Sequence, residues 1–96
     1  MYVVVSYDVE TRTAAGKKRL RKVGRACLDF GQRVQFSVFE CNLGKQQWVV
    51  LRQRLLSTFD PASDSLRFYF LGEDPGSRIE HHGTKETIDT SGLLLA

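Results

Sequence analysis

The chain has 96 residues, of which 42% are hydrophobic and 26% charged, and its formal net charge is +3. This length suits one domain with a thin core, which leaves little room for a deep enclosed substrate pocket. No apolar run reaches the ~18 residues of a membrane-spanning helix, and the N-terminus lacks the basic region of a signal peptide. We therefore expect a cytoplasmic protein with no membrane partner.

The positive charge is concentrated in the first part of the chain. Residues 1–58 carry eleven basic and four acidic side chains, whereas residues 59–96 carry three basic and seven acidic ones. Such an asymmetry is expected of a protein that binds nucleic acid.

The first half of the chain predicts a strand, a helix and a second strand region. Residues 1–9 are nearly continuously apolar, as in a central strand buried on both faces. Residues 14–30 predict a helix that ends at Gly31. Its apolar stripe consists of Leu20, Val23, Cys27 and Phe30. Residues 33–41 are again rich in β-branched and aromatic side chains.

The second half predicts another helix and another strand. Asn42 could cap the helix, and Asp60-Pro61 ends it. The apolar stripe of this helix is Trp48, Leu51 and Leu55, with Val49 and Leu56 beside it. Residues 66–71 predict a strand that places Leu66, Phe68 and Phe70 on one face. Residues 79–82 could form a further short strand.

This order of elements favours an α+β fold, a ferredoxin-like β-α-β-β-α-β sandwich with an extra C-terminal strand. The fold requires residues 33–41 to be two strands that turn near Phe36-Ser37, although no Gly or Pro marks a hairpin there. We predict a ferredoxin-like domain over residues 1–83 and a tail or strand over residues 84–96.

Apolar residues in the tail predict a homodimer. They are Ile88, Leu93, Leu94 and Leu95. A 96-residue fold has little core left to cover them, so we expect the tail to pack on the partner, where an added strand would shield a sheet edge.

Asp8 is the main candidate for chemistry. Aspartate is a poor strand former, yet Asp8 follows an apolar strand directly. It could cap the next loop, or it could bind a metal, since magnesium takes one or two carboxylates with waters and phosphates. Glu10 would share its face if the strand continued. A two-fold axis near Asp8 would instead bring a second copy of it close.

Six of the fourteen basic residues lie within residues 17–25, with no acidic residue among them. On a helix, one side of this segment carries Lys18, Arg21, Lys22 and Arg25. A solvated face is the alternative, but such faces usually mix signs of charge. The density of positive charge favours a phosphate-bearing partner. We expect contacts to the backbone of a nucleic acid, without strong sequence preference.

The remaining aromatic, cysteine and histidine residues predict no separate site. Base stacking by one of the aromatic residues is a minor alternative to a core position. Those expected mostly in the core are Phe36, Phe39, Trp48, Phe68, Tyr69 and Phe70. Cys27 and Cys41 fall at apolar positions, which favours buried, reduced thiols. His81 and His82 would face opposite sides of a strand.

Five segments, in this order and spacing, resemble a known family: YVVVSYDV, KKRLRKV, GQRVQFSVFEC, QWVVL and DSLRFYFLG. They resemble the small CRISPR-associated endoribonuclease family, the ferredoxin-fold subunit of the CRISPR spacer-acquisition machinery. The most specific part is GQRVQFSVFE following an apolar strand that ends in Tyr-Asp.

The resemblance implies a homodimeric endonuclease that uses magnesium on RNA or DNA and serves spacer acquisition in antiviral defence. It implies that Asp8 binds the metal across a cleft from its symmetry mate, and that Tyr7, Arg33 and Phe39 support the catalytic site. A larger integrase subunit is an implied partner. A non-catalytic DNA-binding bridge in the integrase complex is one alternative. A regulatory ferredoxin-like domain is another, but it leaves the basic segment unexplained.

Overall fold

The computed structural model describes residues 1–74 and 76–83. Its elements are β1 (Tyr2–Asp8), α1 (Ala14–Phe30), β2 (Gln32–Gln35), β3 (Val38–Asn42), α2 (Lys45–Thr58), β4 (Ser65–Gly72) and a 3-10 turn at Gly76–Arg78. The four strands form one antiparallel sheet in the order β2-β3-β1-β4. The predicted ferredoxin-like β-α-β-β-α-β order is therefore confirmed. No helix in the described part is long and apolar enough to cross a membrane.

The segment predicted to be a hairpin is two strands, with Phe36 and Ser37 between them. The register of β2 against β3 shifts between Arg33 and Gln35. Such an irregularity bends a strand and increases its twist, which helps to explain a turn here without glycine or proline. The backbone N–H of Tyr7 donates to the carbonyl oxygen of Ser37 at 3.1 Å and fixes the turn against the end of β1.

Two local predictions are wrong. Asn42 is the last residue of β3 and does not cap α2; Gly44 takes the cap position, and its N–H donates to the side chain of Gln47 at 2.9 Å. Residues 79–82 form no strand; β4 ends at Gly72, whose φ is +81°, and a 3-10 turn follows at Gly76–Arg78. The predicted C-terminal extra strand over residues 84–96 lies outside the described residues.

The core lies between the sheet and the two helices. Its fully buried larger side chains are Val3, Val5, Val23, Cys27, Phe39, Cys41, Leu51 and Leu55. The predicted stripes of both helices are confirmed, except that Val49 and Leu56 of α2 are exposed. The prediction that β1 is buried on both faces is wrong for the single chain. The helices cover one face only, and Asp8 on the other face is exposed.

The end of α1 packs very closely against β3. A Cβ at Gly31 would lie 2.4 Å from the Cys41 Sγ and 2.5 Å from the Glu40 carbonyl oxygen, so this contact requires glycine. Cys27 and Cys41 are buried and unbridged. They therefore match the prediction of buried, reduced thiols, and burial raises the pKa of each thiol to about 12, which disfavours the reactive thiolate.

Candidate functional site

Asp8 is the last residue of the central strand. It is exposed and lies opposite Ser65 of β4 in the sheet register. Because β1 ends here, Glu10 does not continue the strand face; its carboxylate instead binds Arg12, with 2.8 Å between Glu10 Oε2 and Arg12 Nη2. The described residues contain no group of three or more His, Cys, Asp or Glu side chains that could hold a metal ion. Within one chain, Asp8 is therefore the single carboxylate that strand β1 offers.

Tyr7, Arg33 and Phe39 form a cluster on the opposite face of the sheet. The rings of Tyr7 and Phe39 stack with centroids 6.1 Å apart, and the Arg33 guanidinium carbon lies 4.9 Å from the Phe39 centroid, within range of a cation–π contact. Burial, with a smaller effect from the Cys27 thiol, raises the pKa of Tyr7, against the opposing influence of Arg33.

Strand alternation directs Tyr7 and Asp8 to opposite faces. The structure thus brings together three of the four predicted catalytic residues and separates them from Asp8 within one chain. Their catalytic roles stay predictions.

The predicted nucleic-acid-binding residues share one exposed side of α1. They are Lys18, Arg21, Lys22 and Arg25. Among the residues that the structure describes, only Arg25 of these four has an ion pair, at 3.3 Å to Asp29. The helix begins just before this segment, where the Thr13 side chain accepts a hydrogen bond from the N–H of Gly16 at 3.0 Å. Most of the positive charge on this side is therefore free to bind an anion.

Arg19 does not belong to that side, although it lies in the same basic segment. Its Nε donates to Asp64 Oδ2 at 2.8 Å. The Asp64 side chain is completely buried and also accepts from the backbone N–H groups of Glu10 and Asp60 at 2.9 and 2.8 Å. The Arg19 side chain, more than any other group, lowers the pKa of Asp64 to about 2. Asp64 thus joins the loop after Asp8 to the loop before β4.

A pocket of about 330 Å³ lies between α1 and the β2–β3 turn. It is lined by Tyr7, Leu20, Arg21, Gly24, Arg25, Leu28, Arg33 and Phe36. Phe36 is 76% exposed and Leu28 is 49% exposed, so the prediction of a core position for Phe36 is wrong. Phe36 stands in the turn, where strand alternation does not apply. Leu28 lies off the apolar stripe of α1, and this was the signal in the sequence for its exposure.

The other aromatic side chains mostly follow the prediction. Trp48 packs edge-on against Phe68 and Phe70, with centroids 4.9 and 5.6 Å apart. Tyr69 and Phe70 nevertheless remain substantially exposed on the edge strand β4, which corrects their expected core positions. His82 contacts Glu80 on the surface and joins no cluster in the described part of the chain.

The strand order and the two helices on one face define a ferredoxin-like α+β domain, with an exposed strand-end carboxylate and a basic helix side. The sequence profile described as "CRISPR associated protein Cas2" matches residues 1–79. The chain therefore belongs to the Cas2 family of CRISPR-associated proteins. The family membership expected from the sequence is confirmed. The predicted class, a CRISPR-associated endonuclease, is confirmed as well, because relatives are named CRISPR-associated endoribonuclease or endonuclease.

Individual relatives match nearly the whole chain. The chain is 56% identical over 95 residues to the CRISPR-associated endoribonuclease Cas2 of Chlorobaculum tepidum, which covers 99% of each protein. It is 46% identical to the CRISPR-associated endonuclease Cas2 of Halalkalibacterium halodurans, again over 99% of each. The crystal structure of Streptococcus pyogenes Cas2 at pH 6.5 aligns with a TM-score of 0.76 and 49% identity, covering 86% of this chain and all of that one.

Proposed function

We propose that this chain is a cytoplasmic, homodimeric, magnesium-dependent endonuclease that cleaves RNA or DNA in CRISPR spacer acquisition. The observation that carries the proposal is Asp8, an exposed carboxylate at the end of the central strand. The Asp64 network braces the loop that follows it. Family membership supports the nuclease class, and the unpaired basic side of α1 supports a nucleic-acid substrate.

The two Asp8 carboxylates of a dimer would repel each other near the axis unless a cation or a proton lay between them. Asp8 of each copy would hold Mg²⁺ together with waters and phosphate oxygens, since magnesium accepts one or two protein carboxylates. When bound, the ion supplies a Lewis acid that polarises a phosphate and lowers the pKa of a coordinated water. Lys18, Arg21, Lys22 and Arg25 would meanwhile bind the nucleic-acid backbone.

The test is Asp8→Asn, which preserves the shape of the side chain and removes its charge. We expect folding, dimerisation and nucleic-acid binding to be unchanged, because the core and the basic side are untouched. Magnesium-dependent cleavage should fall at least ~100-fold, since the metal ion that Asp8 would hold stabilises the transition state by several kcal/mol. The measurement is cleavage of labelled single-stranded RNA and duplex DNA, with magnesium and with chelator, over a range of pH.

Glu73→Gln is the matched control, because it neutralises a carboxylate that is 89% exposed and follows the end of β4 farthest from Asp8. Its cleavage rate should equal that of the wild type. Wild-type activity in the Asp8→Asn protein would assign cleavage to another site or to a contaminant.

A non-catalytic DNA-binding bridge within an integrase complex is the second candidate. It is favoured by the fact that the described residues offer only one carboxylate at the end of β1 and no metal-binding cluster. Tight DNA binding by the wild type without cleavage under any of these conditions would support the bridge over the nuclease.

A further inference from the structure

The pocket beside α1 combines an apolar surface with a positively charged one. Two exposed apolar side chains, Phe36 and Leu28, border it. Three arginines also line it, Arg21, Arg25 and Arg33. Neither Arg21 nor Arg33 has an acidic partner in the described part of the chain. A ligand that satisfies both surfaces needs a flat apolar part and an anionic part within a few ångströms of each other.

A nucleotide has this composition. Unpaired bases stack on aromatic side chains and on guanidinium planes, while phosphates bind arginine. A paired base has its face covered by its neighbours in the duplex, so it cannot reach the ring of Phe36 without unstacking. The volume, about 330 Å³, is at the lower end of the ~300–1,000 Å³ typical of small-ligand sites, which suits one nucleotide and no more.

The pocket is formed by elements that hold its shape. The Tyr7 hydroxyl oxygen and Arg33 Nη2 each lie 3.4 Å from the position that a Cβ on Gly24 would take, so both groups lie close to the surface of α1. The cation–π contact with Phe39 orients the Arg33 guanidinium, and the hydrogen bond from Tyr7 N–H to Ser37 fixes the turn that carries Phe36.

We propose that this pocket binds one unpaired nucleotide, with its base on Phe36 and Leu28 and its phosphate on Arg21, Arg25 and Arg33. The inference rests on the proposed nucleic-acid substrate and narrows it: the chain discriminates single-stranded from fully paired nucleic acid. Asp8 lies on the other face of the sheet, so the pocket selects and holds the strand. Tyr7 and Arg33, which the family resemblance predicts to support the catalytic site, would here contribute to binding.

The test measures the binding of one oligonucleotide as a single strand and as a blunt duplex, by fluorescence anisotropy in chelator so that no cleavage occurs. Phe36→Ala should weaken single-strand binding roughly 5- to 150-fold, the range of one base–aromatic stack, and change duplex binding less than twofold. Phe70→Ala is the matched control, since Phe70 is also an exposed phenylalanine, at 61%, on the far strand β4; it should leave both affinities unchanged.

Phe36→Trp provides a fluorescence signal that changes only if a base contacts this position, and not if Phe36 merely supports the fold. The native chain has a single tryptophan, so fluorescence above the wild-type signal reports the introduced indole. Single strands should quench it while the duplex does not, and single-strand affinity should equal or exceed that of the wild type. Equal losses on both substrates in Phe36→Ala, or no loss on either, would overturn the inference even if Asp8-dependent cleavage were intact.

A free mononucleotide presents the same chemistry, so adenosine monophosphate is titrated as a competitor. Displacement of the single strand only at millimolar concentration supports a strand-binding site. Displacement at micromolar concentration would make the pocket a small-molecule site and overturn the strand assignment. If the wild type bound neither the strand nor the duplex, the proposed nucleic-acid substrate would fail together with this inference.

Discussion

At the scale of single residues, Asp64 is the most constrained carboxylate of the described part. It accepts hydrogen bonds from one guanidinium and two backbone N–H groups while its side chain is completely buried. These donors favour the charged form and lower its pKa from 3.8 to about 2. A carboxyl group whose pKa is depressed on folding contributes stability above its unfolded pKa, and this contribution is lost as the pH falls through the folded value.

Asp64→Asn should therefore destabilise the protein at neutral pH by ~1–3 kcal/mol, the cost of weakening hydrogen bonds to a buried charged group. The deficit should shrink as the pH falls from about 4 towards 2, because the wild-type carboxylate is then protonated as well. Urea unfolding at a series of pH values gives the free energy of unfolding for both proteins. A deficit that did not vary with pH would contradict the assigned pKa.

Glu73→Gln serves again as the control. Its carboxylate is 89% exposed and forms only a surface ion pair with the N-terminus, and such pairs contribute ~0–1 kcal/mol. Its effect on the free energy of unfolding should be small at every pH.

At the scale of elements, the sheet has two open edges. The order β2-β3-β1-β4 leaves β2 and β4 each with one side free of strands in the described part of the chain. Free edges expose backbone N–H and C=O groups that pair readily with another strand. The face opposite the helices is also only partly covered, at Val4, Ser6 and Asp8. Both features support the proposed homodimer.

Truncation after Gly83 should weaken dimerisation roughly tenfold or more, because burial of each large apolar side chain contributes ~1.5–3 kcal/mol. The segment removed, residues 84–96, lies outside the described residues, so its contribution to the dimer is a prediction from its apolar composition. Sedimentation over a range of micromolar concentrations measures the dissociation constant.

A full-length control distinguishes apolar contacts from chain length. Replacing the four apolar tail residues with serine, at Ile88, Leu93, Leu94 and Leu95, should weaken the dimer nearly as much as truncation does. A truncated chain as dimeric as the full-length protein would remove the tail from the interface.

At the scale of the whole molecule, the charge distribution determines how the chain meets nucleic acid. For duplex DNA, each phosphate neutralised by a lysine or arginine makes the slope of log affinity against log salt concentration more negative by ~0.9. Replacing Lys18, Arg21, Lys22 and Arg25 with serine should therefore make the slope less negative by about 3–4 per chain, while the thermal midpoint changes little because all four side chains are exposed. Filter binding from low to physiological salt measures this slope.

Lys45 and Arg52 provide the matched control, since both are basic and exposed on α2. Their replacement with serine should leave the slope within about one unit of the wild type. A quadruple α1 variant with the wild-type slope would place the nucleic-acid surface elsewhere on the protein.

Several features of this protein follow from its sequence alone. Helices and strands depend on apolar periodicity, which is local, and the predicted stripes on α1 and α2 pack against or within the core, with Val49 and Leu56 as the exposed exceptions. The hairpin was predictable from the need for two strands between the helices, although only the structure revealed the shift of register between Arg33 and Gln35. The basic side of α1 was predictable too, because charge and helical spacing together define it. The family was recognisable because its motifs are short and continuous.

Tertiary structure decided which of these residues act together. Arg19 looks like any other member of the basic segment, yet it pairs with Asp64, 45 residues away. Phe36 looks like a core residue, yet it borders an open pocket with Arg33. Tyr7 and Asp8 are neighbours in the chain, yet strand alternation sends them to opposite faces. The physical reason is common to all three: a sequence pattern records the surroundings along the chain, whereas a site depends on distances between distant segments.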